Sequence, residues 1–253
     1  MQRSFFLFFL FTVFLFCSNV HGQTADELIA KNIESRGGLS KLRATKSFRI
    51  SGRATLGQGM EAPFVLEHKR PNKLRIELVV QGLSEIEAYD GETAWYQSPL
   101  SGSKDSHKMP EERAKDLMLQ ADFDGALVDY KEKGHTVEYL GKEDVEGSEA
   151  HKLKVTLKGG SVRYVYLDPE TGLELKVTSV IKREGFEGSV DTYLSDYKEV
   201  NGQWIPFFVE QKVKGHPSVQ FSVDKVEMDV DLEDSRFAMP SAESKQTQPS
   251  SRE

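Results

Sequence analysis

From Lys46 onward the chain alternates apolar and polar residues with a period of two, almost to its end. Phe48, Ile50, Ala54 and Leu56 alternate with Ser47, Arg49, Ser51, Arg53 and Thr55. Ala62, Phe64 and Leu66 oppose Glu67 and Lys69, and Leu74, Ile76, Leu78 and Val80 oppose Lys73, Arg75, Glu77 and Gln81. Leu153, Val155 and Leu157 repeat the pattern, then Val162, Tyr164 and Tyr166, then Leu173, Leu175 and Val177. Successive strand side chains point to opposite faces, so each run describes a strand with one apolar and one wet face. Antiparallel sheets read this way, whereas strands buried on both faces read as continuous apolar runs.

The turn signals agree. Asp90-Gly91, Gly159-Gly160 and Asn201-Gly202 can supply the positive φ angles of two-residue hairpin turns, and Asp168 to Gly172 forms a longer one. About eleven strands with short connections follow from this spacing. In the last strand Val219, Phe221 and Val223 share one face, and Val226, Met228 and Val230 the other. That change of phase predicts a bulge near Asp224-Lys225.

Two segments break the period. Thr24 and Glu27 have the spacing of a capping box, Leu28, Ile29 and Ile33 form one helical stripe, and Gly37-Gly38 ends it. In the middle, Pro110 to Ala121 begins with Pro and two acids, as helix starts do. The loop after it, Asp122 to Gly134, carries Phe123, Leu127, Val128 and Tyr130. A helix and loop of mixed character inserted within a sheet would make a lid.

The first residues have the order of an export signal: Arg3, an apolar run from Phe5 to Phe16, then small and polar residues. The run is shorter than the roughly 20 residues a spanning helix needs. The expected cut lies between Gly22 and Gln23, leaving one domain over residues 23–240 and a polar, disordered tail over 241–253. Cys17, the single cysteine, leaves with the signal, which excludes disulfides, thiol nucleophiles and cysteine–zinc sites. The net charge of −7 becomes one unit more negative without Arg3, which argues against nucleic acid as a partner.

Catalytic patterns are weak. His68, His107, His135, His151 and His216 lack metal-ligand spacing and read as ordinary surface or strand residues. Ser101 and Lys104 match an S-x-x-K spacing, but Gly102 places them in a loop rather than a helix. Asp122, Asp124 and Asp129 do not follow the calcium-loop pattern and read as turn or cap residues. No enzyme activity, cofactor or metal is expected. Apolar material is in excess: a curved sheet of this size has more apolar face than two short helices cover, and the remainder needs a partner, a second sheet or a ligand.

The run Lys69-Arg70-Pro71-Asn72, followed by a strand and then by Asp90-Gly91-Glu92-Thr93-Ala94-Trp95-Tyr96-Gln97-Ser98-Pro99, resembles the periplasmic outer-membrane lipoprotein carriers (LolA-like). Tyr166 to Gly172 and Asp196 to Pro206 are similar to the wider lipoprotein-sorting group. The resemblance implies a mainly β fold, an unclosed antiparallel barrel of about eleven strands with an N-terminal helix and a helical lid. It implies a soluble periplasmic carrier of lipoprotein acyl chains or lipids, with sorting components of the inner and outer membranes as partners. By motif, Arg70 is the residue that tethers the lid; it shares the parity of Phe64, Leu66 and His68 and needs a polar partner there.

The candidate lipid-binding wall comprises Phe48, Ile50, Phe64, Leu66, Leu74, Ile76, Leu78, Trp95, Leu153, Val155, Tyr164, Trp204 and Phe221, with Arg70 at its rim. Two other readings remain open at this level: an envelope sensor or scaffold that binds a protein partner through the same fold, and a hydrolase with acids or histidines converging in the cavity.

Overall fold

The computed structural model describes residues 24–183, 186–213 and 216–240; the expected signal cleavage and the C-terminal tail lie outside them. Helix α1 (Ala25–Ser35) opens with the capping box, Thr24 and Glu27 each accepting the other's backbone N–H. It buries Leu28 and Ile29 as the stripe predicts. A short α2 (Leu39–Ala44) follows Gly38 and leads into the sheet.

Thirteen strands form a single sheet: β1 (Ser47–Leu56), β2 (Met60–Lys69), β3 (Lys73–Val80), β4 (Leu83–Tyr89), β5 (Ala94–Ser98), β6 (Ser103–Lys108), β7 (Thr136–Val145), β8 (Ser148–Thr156), β9 (Val162–Leu167), β10 (Glu174–Arg183), β11 (Phe186–Val200), β12 (Gln203–Val213) and β13 (His216–Met228). The order is β6-β5-β4-β3-β2-β1-β13-β12-β11-β10-β9-β8-β7, with every neighbouring pair antiparallel. First and last strands pair in the middle of the sheet, and β6 and β7 are its two free edges. The sheet is therefore unclosed. The chain between those edges is the insertion: α3 (Glu111–Gln120) and the turns over 122–134.

The strand count exceeds the expected eleven or so, partly because β6, with sequence Ser-Lys-Asp-Ser-His-Lys, has no apolar residue to show the period and read as a loop. Its polarity suits an edge strand, which must not recruit another chain. The predicted bulge is present: Ser51 pairs with Lys225 and Gly52 with Val223, so Asp224 is the extra residue. Asn201 and Gly202 both have positive φ, as a two-residue hairpin turn between β11 and β12 requires.

Cross-strand pairing defines an inner face. Ile50, Leu66 and Ile76 lie side by side on β1, β2 and β3, as do Phe64 and Leu78 on β2 and β3. Continuing the other way, Ala54 meets Phe221 and Phe221 meets Val209. Val177, Val165 and Leu153 continue this face across β10, β9 and β8. Both ends of it are covered. Leu28 and Ile29 of α1 and Leu127 of the insertion pack on Leu153, Val155, Val165 and Leu167. Leu117 and Ala121, in and after α3, pack on Leu74, Tyr89, Ala94 and Met109.

Candidate functional site: an uncovered cavity and its latch

Between those two covered ends the inner face stays open as a cavity of about 740 Å³. Pockets for small ligands run from about 300 to 1,000 Å³. Of the residues expected at the wall, Ile50, Phe64, Leu66, Ile76, Leu78 and Phe221 line it. Ile205, Pro206, Val209 and Val223 complete the apolar side from β12 and β13. Their signal, the Gln-Trp-Ile-Pro-Phe-Phe-Val run, was visible in the sequence but its alternation was not. The opposite side is polar: Glu85, Glu87, Gln97 and Ser98 come from β4 and β5, and Arg113 and Gln120 from α3. Arg113 pairs with Glu87 and lies 4.9 Å from the Tyr96 ring centroid.

The other expected wall residues sit elsewhere. Leu74 shares a face with Ile76 but lies under α3, 2% exposed. Leu153 and Val155 face inward but are covered by α1 and the insertion. Phe48 packs edge-on to His68 and against Phe123, beneath the insertion. Trp95 is paired with Ala88 on the outer face; it is buried there and donates its indole N–H to the Phe237 carbonyl at 2.7 Å. Tyr164, paired with Lys154 and Thr178, is also on the outer face, with the Lys152 ammonium 4.8 Å from its ring. Trp204 is 41% exposed, although its neighbours Ile205 and Pro206 line the cavity.

Arg70 ends β2 at the rim, where a cis peptide joins it to Pro71. Its Nε donates to the Thr45 carbonyl at 2.7 Å and its Nη2 to the Leu42 carbonyl at 2.7 Å. The same guanidinium grips both carboxylate oxygens of Asp124 in the insertion and stacks on Phe123, 4.3 Å from the ring centroid. The polar partner expected for it is a lid carboxylate, and two carbonyls come from α2 and the α2–β1 junction. A planar fork suits such a carboxylate better than a point charge would. Burial pushes the Asp124 carboxyl up, but Arg70 outweighs it and holds the group below the usual carboxylate range.

The other acids read as turn residues are ion-paired too. Asp129 pairs with Arg43 of α2 at 2.9 Å, and Asp122 with Lys133 at 2.7 Å. Asp26 of α1 accepts from Tyr130 and Lys131. His68 is not a surface residue: it is 5% exposed, its Nε2 lies 3.0 Å from the Ala121 carbonyl, and burial lowers its pKa. Together these contacts tie the insertion to the barrel rim at several points. Among the described residues no group of His, Cys, Asp or Glu could hold a metal ion, and no helix is long and apolar enough to cross a membrane.

The fold is LolA-like. A LolA superfamily protein from Nitrosomonas europaea superposes with a TM-score of 0.57 at 13% identity, covering 86% of this chain and 98% of the other. A DUF1329 family protein from Desulfovibrio piger gives 0.60 at 13% identity, covering 86% and 98%. A domain from Vibrio parahaemolyticus ascribed to outer membrane lipoprotein sorting gives 0.52 at 14%, covering 83% and 97%. No family model and no curated protein matches the sequence. At such identities the likeness is one of fold.

Proposed function

We propose that this chain is an exported periplasmic carrier that holds acyl chains of lipoproteins or lipids in the inner-face cavity. The observation carrying this reading is the apolar wall of Ile50, Phe64, Leu66, Ile76, Leu78 and Phe221, which lines an open cavity and, apart from the buried Phe64, is only partly covered by the described residues. Each methylene taken from water contributes about 0.8 kcal/mol, so a long chain gains enough to leave a membrane only if its surroundings are apolar along its length. The LolA-like fold and the ascribed role of the Vibrio domain support the same reading. Movement of the insertion would widen the cavity beside it, and the Arg70–Asp124 latch biases that equilibrium.

Titration with a fluorescent fatty acid tests this reading. The wild-type chain should bind it and enhance its emission, and Leu78→Trp, which fills the cavity without adding charge, should abolish binding. Equal binding by the two proteins would overturn the assignment.

A further inference from the structure

A second pocket, of about 380 Å³, lies on the other side of α3. It shares no lining residue with the large cavity: α3 turns Arg113 and Gln120 to one, Met118 and Leu119 to the other. The remaining lining comes from the insertion, from the β2–β3 turn at Pro71-Asn72, and from the β8–β9 connection. Its charged groups are Lys133, Lys158, Arg163 and Asp122, with His135 beside them. Lys133 is saturated, its ammonium donating to both Asp122 oxygens and to the Gly125 carbonyl. That pairing neutralises the single acid of the lining. Two cations remain, and neither has an ion pair among the described residues.

Of these, Arg163 is the unusual one. It is paired with Val155 and Ser179 on the inner face, and neither carries a charge to meet it. Burial outweighs the nearby negative charges of Asp122, Glu174 and Asp116 and lowers its pKa. A half-buried guanidinium without a bidentate partner gains most from an oxyanion that accepts two of its N–H groups. Lys158 adds an exposed point charge to the lining. The His135 ring is fixed by the Lys158 backbone N–H, which donates to its Nδ1 at 3.1 Å and leaves Nε2 to donate. Two cations and an imidazole donor thus surround one space, with Glu174 and Asp116 near Arg163 but not in the lining.

We propose that this pocket binds a phosphate group, with Arg163 gripping it, Lys158 closing on it and His135 donating. A phosphate held there would bridge the insertion to the β8–β9 hairpin. The phosphate could be free or the headgroup of an amphiphile; the recognised unit is the same. The site does not depend on the carrier reading, because its residues and its ligand are distinct.

Isothermal titration of the full chain with inorganic phosphate and with dihexanoylphosphatidylglycerol below its micelle concentration tests this. Arg163→Gln and Lys158→Gln should each weaken binding by roughly tenfold or more, the loss of a charge-assisted contact. Lys158 sits in an exposed turn, so its variant reports even if Arg163→Gln folds poorly. Binding of both probes assigns the site to phosphate itself; binding of the lipid alone assigns it to headgroups only where Lys158→Gln weakens it and Leu78→Trp does not abolish it. Binding of neither, or binding undisturbed by Lys158→Gln and by a folded Arg163→Gln, overturns the proposal.

Discussion

Arg70 and Asp124, 54 residues apart in sequence, form a two-pronged ion pair that joins the barrel rim to the insertion spanning its open edge. The pair is partly buried, with side-chain exposures of 25% and 18%. Asp124→Asn should cost about 2 kcal/mol, the range for hydrogen bonds to charged groups. Arg70→Lys should cost about as much, since an ammonium cannot serve Thr45, Leu42 and Asp124 together. Hydrogen exchange should locate the loosening in residues 122–134; uniform loosening across the sheet would count against a latch.

His68 makes the same junction sensitive to acid. Its pKa is lowered in the folded protein by burial, so the unfolded chain holds the extra proton as pH falls. Stability from this group is complete above its ordinary value of about 6.5 and erodes as pH drops toward the folded value. His135 and His151 shift the same way, also by burial. His68→Phe should therefore flatten the fall of Tm below pH 6.5 in part. An unchanged slope would remove His68 from the account.

Trp95 separates structure from binding. Its indole N–H meets the Phe237 carbonyl on the outer face, away from the cavity. Trp95→Phe should lower stability by about 1–2 kcal/mol through the unpaired carbonyl and leave fatty-acid affinity unchanged. Lost affinity with an unchanged Tm would return Trp95 to the wall.

Glu67 lies in the same cross-strand row as Trp95, on that outer face. Fully buried, it accepts from Arg49 and Arg236 at 2.9 Å each. The arginines are partly exposed, so Glu67→Ala should cost about 2–3 kcal/mol, less than the removal of one partner from a wholly buried pair. Denaturant unfolding measures this, and a cost below about 0.5 kcal/mol would mean the arginines find water instead.

The sheet was legible in the sequence because period two needs only local alternation, as at Leu74, Ile76 and Leu78. The cavity was less so. Those three residues share one face, but α3 covers Leu74 and leaves Ile76 and Leu78 open, which depends on where a distant helix lands. In β9 the visible alternation pointed the wrong way. Tyr164 and Tyr166 are the outer residues, set under lysines, while Arg163 and Val165 face inward. The Ala-Trp-Tyr-Gln run carries no alternation, so it does not show that Trp95 takes the outer face. Arg70 was found by its motif, but its partner Asp124 lay in a loop whose acids had no pattern to read.

The central claim is that the inner face holds acyl chains. Native mass spectrometry of the protein, purified without detergent, tests it most directly. The account predicts acyl-bearing adducts on the wild-type chain and none on Leu78→Trp, with the two proteins melting within a few degrees of each other. A wild-type chain that carries no adduct, even after incubation with lipid, would contradict it.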